Sequence, residues 1–184
     1  PFEHLMVHAH EGHTRATMKI QEGCDRWCTY CIIPSVRGPI RSRPVDEIAA
    51  EAQSLAEAGF KEVVLTGIHL TSYGRDVKDG TTLLDAIRAA HDVPGIARVR
   101  LGSLEPVVVT PEFVEGIKAL PKVCHQFHLA LQSGSDTVLA RMHRRYTSGE
   151  FLTACAMLRE AFEDCALTTD VMTGFPGETE EEFA

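Results

Sequence analysis

The sequence has 184 residues, enough for one domain with its own core and too few for two ordinary ones. Hydrophobic residues make up 44% of it, charged residues 24%, and the formal net charge is −8. This composition excludes a disordered or fibrous chain. The charge argues mildly against a nucleic-acid-binding surface here, but does not exclude a nucleic acid as substrate. No apolar run reaches the roughly 18 residues of a membrane span, so no membrane contact is expected.

The first residues contain four histidines and lack the basic-then-apolar layout of a secretion signal. Because the sequence begins at Pro1 and stops at Ala184 within a predicted first helical turn, we interpret it as part of a longer polypeptide. Six cysteines in a chain of this size without an export signal favour reduced thiols and a cytoplasmic location.

From residue 16 onward, two kinds of segment alternate. Five short segments rich in β-branched residues have nearly continuous apolar runs and are predicted to be buried strands: 16–23, 62–68, 98–104, 126–133 and 166–175. Stretches of helical periodicity lie between them, with a shorter helix near Leu83 to His91. Four helices are preceded by a residue that can cap the first turn: Asp46, Thr110, Thr147 and Thr179.

Five strand–helix repeats predict an α/β fold with parallel strands and right-handed crossovers. A (β/α) barrel, full or partial, and a doubly wound open sheet both fit. In either fold, functional groups collect beyond the carboxyl ends of the strands. Polar residues and glycines follow all five predicted strands, so one rim of the sheet is the predicted active site.

The strongest local signal is Cys24, Cys28 and Cys31, spaced by three and two residues after the first predicted strand. Thiolates are the usual ligands of iron–sulfur clusters, and three ligands for four irons leave one iron open for a substrate. Trp27 and Tyr30 are predicted to give this cluster apolar cover. A zinc site of three cysteines and one histidine is the alternative, although zinc ligands usually come in two separated pairs.

The cysteine spacing, with Tyr30 just before the last cysteine, resembles the radical S-adenosylmethionine (SAM) superfamily. The wider sequence resembles its methylthiotransferase branch, through RATMKIQEGCDRWCTYCIIPSVRGPIRSRP, VVLTGIHLTSYG, RVRLGSLEP, FHLALQSGSD, RMHRRYT and DVMTGFPGETEEEF. LTGIH and LGSLEP most resemble the type that acts on N6-threonylcarbamoyladenosine beside the tRNA anticodon. One departure is Ala130, where the family commonly has proline.

The resemblance implies a partial (β/α)6 TIM-type barrel of the radical SAM type, truncated before its last strand. Residues 15–184 would form the radical SAM core domain and residues 1–14 an interdomain linker. The resemblance also implies an absent amino-terminal domain with a second [4Fe–4S] cluster and an absent carboxyl-terminal RNA-binding (TRAM) domain. The tRNA would bind mainly through those domains, and an external donor would supply electrons.

The resemblance also assigns roles to residues at the rim. Cys24, Cys28 and Cys31 would hold the [4Fe–4S] cluster. Contacts to SAM are expected from Tyr30, Thr66, Gly67, Glu105, Gln132 and Ser133. Contacts to the substrate, including tRNA phosphates, are expected from Arg144, Arg145, Gly174 and Phe175. Ordinary turn, loop and surface roles remain the alternative for each of the residues other than the cysteines.

The function implied is that of a transferase that adds a methylthio group to C2 of N6-threonylcarbamoyladenosine. Reductive cleavage of SAM would give a 5′-deoxyadenosyl radical that removes hydrogen from C2. The second cluster would supply sulfur, and a further SAM molecule would supply the methyl group. Sister families act on isopentenyladenosine in tRNA or on a ribosomal-protein aspartate, and these substrates remain alternatives. A non-catalytic zinc-binding module is the alternative of a different class.

Overall fold

The computed structural model describes residues 14–184. Its strands are β1 (Ala16–Glu22), β2 (Arg41–Ser42), β3 (Glu62–Gly67), β4 (Arg98–Leu101), β5 (Gln126–His128) and β6 (Ala166–Thr168). Its helices are α1 (Ile33–Arg37), α2 (Val45–Glu57), α3 (Leu83–His91), α4 (Pro111–Lys118), α5 (Asp136–Arg141), α6 (Ser148–Ala161) and α7 (Glu180–Phe183). Single 3-10 turns follow β3, at Leu70–Ser72, and β4, at Pro106–Val108.

The five predicted strands form one parallel series, which confirms the α/β fold. Strands β1, β3 and β4 pair in parallel in a sheet of order β2-β1-β3-β4, and β5 pairs in parallel with β6. Parallel bridges from Leu104 to Leu129 and from Val99 to Val123 connect the two sheets. Within residues 14–184, no hydrogen-bonded pairing links β6 back to β1, so the series is an open, partial barrel.

The helices cover one side of this series, where they bury the core. Helices α2, α3, α4 and α6 connect successive parallel strands, and each contacts the next. The largest fully buried side chains come from both layers and include Met18, Ile20, Leu65, Ile87 and Phe127. The carboxyl ends of the strands form a rim where loops, 3-10 turns and the short helices α1 and α5 meet.

Most of the predicted helix-capping residues are confirmed. Thr110 accepts a hydrogen bond from the Phe113 backbone N–H, and Thr147 forms a capping box with Glu150. The prediction for Asp46 is wrong, because α2 begins at Val45 with Pro44 in the cap position and no side-chain cap. Asp46 instead lies in the first turn, where the helix dipole favours a carboxylate.

The last three strands are shorter than predicted, and one strand was missed. Regular pairing stops at Leu101, His128 and Thr168, although isolated bridges such as Gln132 to Val171 continue in the same direction. Strand β2 was not predicted because only two of its residues pair, antiparallel to the end of β1. The predicted linker lies almost wholly outside the described residues, and the proposed domain boundaries stay a prediction. No helix of residues 14–184 is both long and apolar enough to cross a membrane.

Candidate cluster and S-adenosylmethionine site

The cysteine loop leaves the carboxyl end of β1 through a tight glycine turn. Gly23 has a φ of +72°, and a Cβ at this position would lie 1.9 Å from the Pro39 carbonyl oxygen. The next residue, Cys24, donates its backbone N–H to the Gly38 carbonyl at 3.1 Å. The loop therefore begins where only glycine fits, against the segment that leads into β2.

The other side of the loop rests on the end of α5. The Thr29 backbone N–H donates to the Met142 carbonyl at 3.2 Å, and its hydroxyl donates to the Arg141 carbonyl at 3.0 Å. Arg145 donates to the Asp25 carbonyl at 3.4 Å. These contacts join the motif after the first parallel strand to the RMHRRY segment after the fourth, far away in sequence.

The three cysteines line one small cavity of about 120 Å³, together with Arg26, Tyr30, Ile33, Ile68, His69, Glu105 and Arg144. Three cysteine thiols that line one cavity are, by their chemistry, the donor set that a [4Fe–4S] cluster with one open iron requires, so the residues present fit that group. Among residues 14–184, no three His, Cys, Asp or Glu side chains are grouped as ligands of a single metal ion.

Glu105 is the centre of a buried ion-pair cluster in this cavity. Its carboxylate lies 3.0 Å from Arg26 Nη2, 2.9 Å from His69 Nε2 and 2.8 Å from Arg144 Nη2. The Glu105 side chain is 5% exposed. Burial alone would raise the pKa of Glu105, but the close contact with His69 and the charges of Arg144 and Arg26 outweigh it and lower the pKa. Glu105 is therefore a fixed anion beside the cysteines.

Arg144 lies in the interior of the site, whereas its predicted contact with a tRNA phosphate would need an accessible side chain. Its side chain is only 8% exposed, and its Nη1 donates to Cys28 Sγ at 3.2 Å. Its Nε donates to the Tyr146 hydroxyl at 2.9 Å, and that hydroxyl donates to the Leu131 carbonyl at 3.3 Å. A phosphate could reach this guanidinium only by breaking these bonds. Burial raises the pKa of Tyr146 to about 12, so the phenol stays protonated at neutral pH.

Three residues in or beside the ion-pair cluster around Glu105 had no role predicted from the sequence. Arg26 stands within the cysteine motif, and His69 follows β3 within LTGIH. Gln21 is fully buried; its side-chain oxygen accepts the His69 backbone N–H at 2.7 Å, and its amide donates to the Glu22 and Gly23 carbonyls. The signal that the sequence offered for Gln21 was a polar amide near the end of a predicted apolar strand.

The aromatic residues of the motif are more exposed than predicted. Trp27 is 59% exposed, has a φ of +52° and is not among the residues that line the cysteine cavity. Tyr30 is 42% exposed but lines the cysteine cavity and contacts the Phe175 ring edge-on, with 6.4 Å between ring centroids. The predicted substrate residue Phe175 is therefore brought to the mouth of the cavity.

The other predicted residues surround the site at the strand ends without lining the cysteine cavity. Gly67 packs on Gln21, and Thr66 precedes it on β3. Ser133 accepts from the Ser135 backbone N–H at 3.1 Å, and its neighbour Gln132 exchanges backbone hydrogen bonds with Asp170 and Met172. The backbone N–H groups of Gly174 and Phe175 both donate to the Glu178 carboxylate. The SAM and substrate contacts assigned to these residues stay predictions.

A larger cavity of about 710 Å³ adjoins the cysteine cavity and shares Arg26 with it. Its walls combine apolar side chains such as Leu83 and Phe113 with Arg75 and the exposed Arg145. This volume lies within the range of about 300–1,000 Å³ typical of small-ligand sites.

Residues 18–184 match the family described as the radical SAM superfamily. The chain belongs to this superfamily. A threonylcarbamoyladenosine tRNA methylthiotransferase, MtaB, of Bacillus subtilis is 46% identical over 99% of this chain, which spans 40% of that protein. A tRNA-2-methylthio-N(6)-dimethylallyladenosine synthase of Acetivibrio thermocellus is 40% identical over 99% of the chain, which spans 38% of that protein. The chain thus spans about two fifths of the curated relatives it matches.

Solved structures show the same fold at low sequence identity. The radical SAM methyltransferase TsrM from Kitasatospora setae, solved with cobalamin and a [4Fe–4S] cluster bound, has a TM-score of 0.72 at 21% identity. The match covers 91% of this chain and 32% of TsrM. Together with the family match, this confirms the predicted fold class and the prediction of SAM and a [4Fe–4S] cluster as the cofactors of the family.

Proposed function

We propose that this chain is the radical SAM core of a tRNA methylthiotransferase that acts on N6-threonylcarbamoyladenosine at C2. The observation that carries the proposal is the 46% identity, over nearly the whole chain, to the threonylcarbamoyladenosine enzyme. Relatives that act on dimethylallyladenosine reach 44% identity, so that substrate is the second candidate. A cytoplasmic location, a tRNA partner and an external electron donor belong to the same proposal.

In this proposal, Cys24, Cys28 and Cys31 hold the cluster and leave one iron for SAM. When bound, the cluster and SAM together supply the 5′-deoxyadenosyl radical that removes hydrogen from the substrate. The chain's own part is to position and to shield. Glu105 fixes Arg26 and Arg144 beside the cysteines, and the two arginines give the cavity a charge that does not vary at neutral pH.

The adjoining cavity supports a nucleoside substrate. It shares Arg26 with the cysteine cavity, so a ligand bound in it lies next to the proposed site of radical formation. Arg145 is exposed and lines this larger cavity, so it keeps its proposed role as a contact for tRNA. Arg144 does not keep that role, because its guanidinium is bonded inside the protein.

The substrate is tested with the full-length protein, reconstituted without oxygen and given SAM, dithionite and one tRNA at a time. The tRNAs carry N6-threonylcarbamoyladenosine, isopentenyladenosine or unmodified adenosine at the position next to the anticodon. Nucleoside mass spectrometry is expected to show a 2-methylthio product from the first tRNA alone. A product only from the second tRNA would replace the proposed substrate with isopentenyladenosine.

The cofactor is tested on the same protein by iron and sulfide analysis and by EPR before and after addition of SAM. Replacement of Cys24, Cys28 and Cys31 by alanine is the control for any cluster held elsewhere. We expect about four irons to depend on these cysteines, with an EPR signal that SAM alters. Bound zinc, or a cluster that does not respond to SAM, would favour the non-catalytic metal-binding alternative. The 184-residue chain alone is expected to cleave SAM at most, without forming a methylthio product.

A further inference from the structure

The cysteine cavity contains more fixed positive than negative charge. Two guanidinium groups, Arg26 and Arg144, face a single carboxylate, Glu105, and the side chains of all three are at most 10% exposed. His69, the other titratable group in contact with Glu105, carries a charge only when it is protonated. Within residues 14–184, no second carboxylate lines this cavity.

Arg144 is the cation that touches a cysteine. Its Nη1 donates to Cys28 Sγ at 3.2 Å, while Glu105 binds its Nη2 at 2.8 Å and the Tyr146 hydroxyl accepts from its Nε at 2.9 Å. The guanidinium carbon also lies 4.9 Å from the centre of the Tyr146 ring. The planar group is thus fixed at each nitrogen, with one edge directed at the sulfur.

Such a contact acts on an iron–sulfur cluster through its reduction potential. Hydrogen bonds to the sulfurs and the net charge nearby are among the properties that set this potential. Reduction adds one electron and no atom, so a nearby cation stabilises the reduced state and a nearby anion destabilises it. Burial strengthens both effects, because little water is available to screen the charges.

We infer that Arg144 and Glu105 set the reduction potential of the cluster held by Cys24, Cys28 and Cys31, with opposite signs. Arg144 raises the potential through its bond to Cys28. Glu105 is a positioning residue that holds Arg144 and offsets part of its charge. The step concerned is the transfer of one electron from an external low-potential donor to the cluster, with no bond made or broken in the protein. The inference rests on the proposed cluster site.

The experiment measures the midpoint potential of the cluster by EPR-monitored redox titration of the reconstituted full-length protein without SAM. Iron content is measured on each sample, and the signal that depends on the three cysteines is assigned to this cluster. Arg144→Met is expected to lower the equilibrium constant for reduction about tenfold, or about 59 mV for a one-electron couple. Glu105→Gln is expected to shift it in the opposite direction, because the cation remains and the anion is lost.

A matched pair of controls lies at the other end of the sheet. Glu62 is a buried carboxylate at the start of β3, and Arg100 Nε donates to it at 2.8 Å. Glu62→Gln and Arg100→Met therefore also break a partly buried ion pair, but far from the cysteines. Their midpoint potentials are expected to match that of the unaltered protein.

Three results would overturn the inference: no shift in either site variant, shifts of the same sign in both, or equal shifts in the Glu62 and Arg100 controls. If Arg144→Met does not bind four irons, Arg144→Lys takes its place, with a smaller shift of the same sign expected because the charge is kept. Absence of a cysteine-dependent cluster in the unaltered protein would instead refute the proposed function. The iron analysis therefore separates failure of the inference from failure of the proposal beneath it.

Discussion

Replacing Gly23 by alanine should disrupt the start of the cysteine loop. Gly23 has a φ of +72°, in the left-handed region that side chains other than glycine's disfavour. Its missing Cβ would lie 1.9 Å from the Pro39 carbonyl oxygen and 2.7 Å from the Gly38 carbonyl oxygen. Because both neighbours are backbone atoms, no side-chain rotation can relieve the overlap. The chain must move at the point where Cys24 is held by Gly38.

The magnitude follows from two separate costs. A left-handed conformation costs an alanine about 1–2 kcal/mol relative to glycine. Overpacking of a rigid neighbour typically costs a further 1–3 kcal/mol or so. The free energy of unfolding is therefore expected to fall by roughly 2–5 kcal/mol, a large part of the total for a single domain.

Gly59→Ala is the matched control, because Gly59 has a φ of +96° and no atom within 4 Å of its Cβ position. Only the conformational cost applies there, so a loss of about 1–2 kcal/mol is expected. Urea unfolding followed by circular dichroism measures both losses, and iron analysis after reconstitution shows whether the Gly23 variant still binds its cluster. Equal losses in the two variants, with unchanged iron content, would refute the reasoning about the close approach to Pro39.

Three further predictions concern stability. The hydrogen bond from Arg141 lowers the pKa of Glu182 from 4.5 to about 2, so the contribution of this pair to the free energy of unfolding is present above pH 4.5 and is lost as the pH falls to about 2. In urea titrations, the destabilisation caused by Glu182→Gln should therefore shrink over that range. A constant difference would contradict this prediction. Thr147→Ala removes the cap of α6 and should cost about 1 kcal/mol in urea unfolding, and a loss of zero would show that the cap is dispensable. Phe127→Ala leaves a cavity at a fully buried site and should lower the free energy of unfolding by roughly 3–5 kcal/mol. Leu152→Ala, at a site that is 66% exposed, should lower it by less than about 0.5 kcal/mol. Similar losses in the two variants would contradict the assigned core.

The features that were predictable from the sequence are those set by neighbours along the chain. A cap at Thr110 or Thr147 needs only the next few residues, and the helix from Leu83 to His91 has the predicted bounds. The position and direction of the parallel strands followed from apolar runs and from the alternation with helices. The lengths of β4, β5 and β6 did not, because regular pairing gives way to isolated bridges, and this depends on partner strands far away in sequence.

The site divides in the same way. The proposed ligand set could be predicted because its three cysteines lie within one loop, from Cys24 to Cys31. The charge around it was not, because Glu105, His69 and Arg144 follow three different strands and meet only when the sheet forms. A sequence shows that Arg144 carries a charge, but not whether that charge faces solvent or a sulfur.

The buried position of Arg144 shows which information the sequence lacked. In RMHRRYT, two adjacent arginines have the same local context, and both were predicted to contact the substrate, with surface charge as the alternative. The fold separates them: the left-handed turn at His143 and the buried Tyr146 direct Arg144 inward to Glu105 and Cys28, while Arg145 stays exposed at the larger cavity. In the two proposals made above, Arg144 acts on the cluster and Arg145 on the nucleoside substrate. Two neighbouring positions of one motif can thus affect electron transfer and substrate binding separately.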